Sequence, residues 1–129
     1  MINNYICNCK KKNILDKSYT YWEDREVTSD ELEIIKFLEN NNEFRFKNVL
    51  HIGIGNSYFA KKFSNTNKII GITISQKEIE KARIMDLNNY QFFLLDKYST
   101  NFKDFLTNNK FDFIVDTNLK SYSCCQDSF

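Results

Sequence analysis

The chain has 129 residues, 42% of them hydrophobic and 16% aromatic, which is enough for one domain with one core. Eighteen Lys and Arg against 17 Asp and Glu leave a formal charge of +1, and the only basic run is Lys10-Lys11-Lys12, which excludes the broad basic face that nucleic acid needs. No apolar run approaches the ~20 residues of a membrane span and no charged-then-apolar leader is visible, so a cytoplasmic protein without membrane contact is expected.

Residues 1–27 carry no clean periodicity and read as an N-terminal arm. Tyr19, Tyr21 and Trp22 stand beside Glu23-Asp24-Arg25, a ring cluster that packs on the domain or, on the sharper reading, covers a ligand. The cysteines fall as Cys7-x-Cys9 and the adjacent pair Cys124-Cys125, neither with the spacing of a zinc knuckle or redox motif. No metal is expected, although a four-thiolate site joining the two ends is the arrangement they would allow.

A domain over residues 28–129 opens with Thr28-Ser29-Asp30-Glu31, a capping box in which the Thr hydroxyl takes the N–H three residues on and the Glu side chain reaches back. Leu32, Ile35 and Leu38, flanked by Ile34 and Phe37, then follow helical spacing until Asn40-Asn41-Asn42. Lys47-Asn48-Val49-Leu50-His51-Ile52-Gly53-Ile54-Gly55-Asn56-Ser57 reads as strand, glycine turn and helix start. Two glycines one residue apart let backbone approach a ligand, and a following helix would aim its free N–H groups at the same place. Tyr58, Phe59 and Phe63 give that short helix its apolar side, ending near Asn65.

Lys68 to Ile74 is a β-branched apolar run, the pattern of a strand buried on both faces. Ser75-Gln76-Lys77-Glu78 is a second capping box, and Ile79, Ala82 and Leu87 carry its helix. Tyr90 to Leu95 is a third strand, Phe102, Phe105 and Leu106 mark another short helix, and Phe111 to Asp116 is a fourth strand. Four strands alternating with helices predict a doubly wound parallel α/β sheet of order 3-2-1-4, with the ligand crevice where the order reverses between the first and fourth strands. Only thirteen residues follow the fourth strand, which leaves it as an open edge. The domain is therefore expected to be the N-terminal part of a longer one, or to pair this edge with another chain.

These segments resemble the class I S-adenosylmethionine-dependent methyltransferases, a Rossmann-like superfamily. The resemblance rests on Val49 to Ser57, on Gly71-Ile72-Thr73-Ile74-Ser75 followed by Ala82, on Asp96 after the third strand, and on Phe111 to Asp116. It departs from the family pattern at three places: His51 stands where an acid usually sits, Ser57 replaces a third glycine, and Thr73 replaces the acid that holds the cofactor ribose. Thr73 does match a Gly-Ile-Thr-Leu-Ser variant of methyltransferases related to cyclopropane fatty acid synthases.

The resemblance implies that S-adenosylmethionine is held by His51, Ile52, Gly53, Ile54, Gly55, Ser57, Thr73, Ile74, Asp96 and Asp116. Asp116 or His51 would take the proton of a hydroxyl acceptor. Against these roles stand plain structural ones: a strand histidine with a satisfied ring, a cap at Asp96, a cap at Asp116. Tyr122 falls where acceptor loops occur. A small-molecule acceptor is expected, although lipid, sugar and protein acceptors all stay open. The second reading is a non-catalytic remnant that acts through its open edge, by self-association that a Val115→Lys change would abolish. A nicotinamide dehydrogenase half is disfavoured, because its fingerprint needs glycine or alanine at Tyr58. Metal-dependent hydrolysis finds no ligand set around one histidine.

Overall fold

The computed structural model describes residues 27–117. The lysine run, the Tyr19, Tyr21 and Trp22 cluster, all four cysteines and Tyr122 lie outside the described residues.

Helix α1 (Ser29–Glu39) starts at Thr28, whose side chain accepts from the Glu31 N–H at 3.2 Å, and it stops at Asn40. A single 3-10 turn, Asn42–Phe44, sends Phe44 into the core before β1 (Asn48–Ile52). Then come α2 (Tyr58–Phe63), β2 (Lys68–Thr73), α3 (Gln76–Met85), β3 (Tyr90–Leu94), α4 (Thr100–Asn108) and β4 (Phe113–Asp116). The elements follow the order predicted from the sequence. The clearest boundary shift is at the last strand, which begins at Phe113 rather than Phe111.

All strand pairs are parallel and the order is β3-β2-β1-β4. The crossover helices α2 and α3 pack on one face, where α1 joins them, and the crossover helix α4 packs on the other. Period-two alternation along β1 makes the division visible: Val49 joins the larger core with Ile35, Phe44, Phe59 and Ala82, and His51 packs on Phe59 there, whereas Leu50 and Ile52 join Ile72 under Phe102, Phe105 and Leu106. The larger core is held by rings, with Phe44 edge-on to Phe63 at 4.9 Å and to Phe113 at 5.2 Å between centroids. Burial falls away from the centre of the sheet. Ile114 on β4 is 57% exposed, and β4 pairs only with β1 among the described residues.

Candidate functional site

The turn after β1 sits at the carboxyl ends of the two central strands, beside Asp116 at the end of β4. Gly53 and Gly55 both have positive φ, 79° and 54°. L side chains are strained in that region, so both positions favour glycine for a backbone reason. The Gly53 N–H continues the ladder by donating to the Ile72 carbonyl at 2.9 Å. The Ser57 N–H donates to the Ile54 carbonyl at 2.8 Å and closes the turn. Ile54, 1% exposed, plugs the turn into the core, and its contribution is packing.

Ser57 stands where a third glycine was missed, and it adopts the left-handed conformation all the same, at φ 66° and ψ 25°. Its hydroxyl does not cap α2. It lies 2.8 Å from the Tyr90 hydroxyl, fully buried. Burial drives the Tyr90 pKa upward, so the phenol stays protonated. With α2 only six residues long, and with the Tyr58 N–H already taken by Asn56 Oδ1 at 3.1 Å, the helix contributes less to a ligand than the sequence suggested.

At the carboxyl end of β2, Thr73 is 5% exposed and its hydroxyl joins two groups. It accepts from the Ser75 N–H at 3.0 Å and donates to Glu78 Oε2 in a short bond. Ser75 caps α3 as expected, accepting from the Glu78 N–H at 3.3 Å. The Glu78 side chain also reaches Thr73, through Oε2. A carboxylate therefore stands beside the position where the strand lacks one. The sequence signal for it was the capping box, which gave a complete local reason for a glutamate at this helix position. Ile74 follows, 36% exposed, and Leu94 at the end of β3 is 55% exposed.

His51 is among the deepest of the residues the resemblance assigns to the site. Its ring is 0% exposed, packed at 4.4 Å between centroids against Phe59 on the helix-covered face, and burial lowers its pKa to about 3. The ring is neutral and closed off from solvent, and these are the properties of a packing residue. The ring is not satisfied: Nε2 lies 3.2 Å from Thr117 Oγ1, but Nδ1 has no hydrogen-bond partner among the described residues. Glu31 Oε1 lies 3.8 Å from Nε2, and burial raises this carboxyl to about pKa 7.

Asp96 takes the capping role. Its Oδ1 accepts from the Tyr98 N–H at 2.8 Å, and its carbonyl accepts from the Ser99 hydroxyl at 2.6 Å. Burial raises its pKa, and the Tyr98 N–H and the neighbouring Lys97 pull against that rise. Asp116 pairs with Lys97 Nζ at 2.6 Å, tying the end of β4 to the loop after β3. Ile52 is 7% exposed and faces the smaller core, so only its backbone borders the turn. Gly53, Gly55, Thr73 and Asp116 are thus gathered at one end of the sheet, with Glu78 added, while His51 and Ile54 lie beneath them. Among the described residues no three metal-ligating side chains cluster, and no helix is long and apolar enough to cross a membrane.

No family model matches this chain, and no curated protein matches it in sequence. Among solved structures, a dimethyladenosine transferase from Plasmodium falciparum is similar at 22% identity and a TM-score of 0.55, covering 74% of this chain and 34% of its own. The chain spans about a third of the length of that neighbour. N-methyltransferase NodS from Bradyrhizobium japonicum WM9, solved with S-adenosyl-L-homocysteine, matches at 17% identity and a TM-score of 0.46, over 62% of this chain and 48% of its own. The likeness to the transferase from Plasmodium falciparum is one of fold, an α/β domain on a parallel sheet of order 3-2-1-4.

Proposed function

We propose that this chain is the cofactor-binding portion of an S-adenosylmethionine-dependent methyltransferase. The observation that carries the reading is the Gly53–Gly55 turn, with two positive φ values at the point where strand order reverses. The residues around it fit the cofactor. Gly53 and Gly55 present backbone without side chains. Thr73 and Glu78 would receive the ribose diol, and Ile74 and Leu94 offer apolar surface to a purine.

When bound, the cofactor would supply a methyl group on a sulfonium, whose carbon bonds to the acceptor nucleophile as the carbon–sulfur bond breaks and the neutral thioether leaves with the electron pair. The protein's share is to hold that methyl in line with an acceptor and to exclude water. Little acid–base machinery is needed for this, in keeping with the crevice. Asp116 is the candidate to take a proton from a hydroxyl acceptor, and its carboxylate is held by Lys97 Nζ at 2.6 Å. The acceptor class we favour is a small molecule. Titration of the folded chain with S-adenosylhomocysteine tests the reading: binding in the micromolar range supports it, and no binding overturns it.

The exposure of Ile114 on the β4 edge favours a second reading, an interaction module that works through this edge. Its probe is Ile114→Lys rather than a change at Val115, which is 8% exposed and part of the core. Self-association that Ile114→Lys abolishes supports this second reading; a monomeric wild-type chain removes it.

A further inference from the structure

Residues 53, 55 and 57 of the turn all lie in the left-handed region, at φ 79°, 54° and 66°. The first two are glycines, and the third is Ser57, an L residue that this region disfavours. Three of its atoms are tied down. The Ser57 N–H donates to the Ile54 carbonyl at 2.8 Å, and the Ser57 carbonyl accepts from the Lys61 N–H at 3.0 Å. Both are backbone bonds that another residue could make. The third tie, from Ser57 Oγ to the Tyr90 hydroxyl at 2.8 Å, belongs to the side chain and joins the turn to β3, two places away in the sheet.

The far end of that tie is fixed. Tyr90 is 8% exposed, stands opposite Ile69 on β2 and packs its ring against Phe92 at 5.2 Å between centroids. Burial keeps the phenol protonated, so an O–H is always present in the pair. The Ser57 side chain makes no cap for α2, and its hydroxyl is spent on Tyr90 instead.

We propose that Tyr90 is a positioning residue for the cofactor turn: its hydroxyl, by holding Ser57 Oγ, keeps residue 57 left-handed and so fixes the backbone that the turn presents to a ligand. This role rests on the methyltransferase reading and deepens it, by naming what holds the turn in shape where a third glycine is missing. Tyr90 touches no ligand. It acts through Ser57.

Two readouts on the full chain test the role. Native-state hydrogen exchange follows the Ser57 and Lys61 amides, whose bonds close the turn, against amides within β1 and β2. Tyr90→Phe should speed exchange at the two turn amides about tenfold relative to the strands, the scale of one buried hydrogen bond. Calorimetric titration with S-adenosylhomocysteine should show a loss of about tenfold in the same variant. In a Ser57→Gly background, adding Tyr90→Phe should change either readout less than about twofold, because glycine stays left-handed without a tie. Ser57→Ala cuts the tie from its other end and should match Tyr90→Phe in both readouts, which serves where the phenylalanine variant does not fold.

A hydroxyl that served stability alone would speed exchange in turn and strands alike and leave the affinity of the folded chain unchanged. Either result, or an equal loss on Tyr90→Phe with serine and with glycine at residue 57, overturns the role of Tyr90 and leaves the cofactor reading standing. A folded wild-type chain that binds no S-adenosylhomocysteine overturns both.

Discussion

The Tyr90 hydroxyl reaches the Ser57 hydroxyl at 2.8 Å across β2, and it does so over Gly71. A Cβ at residue 71 would lie 2.4 Å from Ile54 Cγ2 and 3.1 Å from the Tyr90 oxygen. Gly71 is therefore where β2 makes room for the tie between β3 and the glycine turn.

Gly71→Ala should destabilise the fold. Alanine gains ~0.5–1 kcal/mol over glycine in a strand, but overpacking against the branched Ile54 side chain costs ~1–3 kcal/mol, so the clash wins. Urea unfolding measures the difference. Unchanged or raised stability would mean that Ile54 and Tyr90 repack freely.

Glu31 and His51 should give opposite pH dependences to stability. A carboxyl raised from 4.5 to about 7 keeps a proton that the unfolded chain releases, so its stabilisation is full below about pH 4.5 and is lost as pH rises to about 7. An imidazole lowered from 6.5 to about 3 stays neutral in the fold, so its stabilisation is full above about pH 6.5 and is lost as pH falls toward 3. Between about pH 4.5 and 6.5 the two slopes offset each other in the wild type. Glu31→Gln should leave a stability that rises through this window, with a gain on the order of 2–3 kcal/mol above about pH 7.5. His51→Gln should leave one that falls. Denaturant midpoints against pH decide, and parallel profiles for the two variants would contradict the burial of the pair.

Thr73 and Glu78 separate stability from binding. Thr73→Val removes the acceptor of the Ser75 N–H and the hydroxyl donor to Glu78 Oε2, which should cost about 1–3 kcal/mol of stability. Glu78→Gln keeps an acceptor for Thr73, so stability should stay close to wild type. On the proposed ribose contact it would give up a charge-assisted bond, and S-adenosylhomocysteine affinity should fall about tenfold. Wild-type affinity in Glu78→Gln would remove this residue from the ribose site.

The Lys97–Asp116 pair lies partly in solvent, with the two side chains 14% and 35% exposed. Asp116→Asn should cost less than about 1 kcal/mol, and the cost should shrink in high salt as screening removes the attraction. A larger, salt-independent loss would mark Asp116 as a structural cap of the β4 end.

The strands were legible because β-branched runs such as Lys68 to Ile74 have few other uses, and strand order followed from alternation with helices. Gly53 and Gly55 were legible because only the backbone decides them. The carboxylates were not. Glu31 and Glu78 each satisfied a local rule, the capping box, and a residue with a sufficient local reason gives no sign of a tertiary one. His51 read as a site residue from its place before the glycines, yet the alternation of β1 puts it with Val49 on the helix-covered face. Asp96 matched the family position and the Asx cap equally well, and only the 2.8 Å bond from the Tyr98 N–H identified the cap.

Binding of S-adenosylmethionine at the glycine turn is measured by titrating S-adenosylhomocysteine into the wild-type chain and into a folded Gly53→Val, Gly55→Val double variant. Micromolar binding by the wild type that disappears in the variant is the predicted result. A folded wild-type chain that binds nothing, or a folded variant that binds equally well, would contradict binding at the turn.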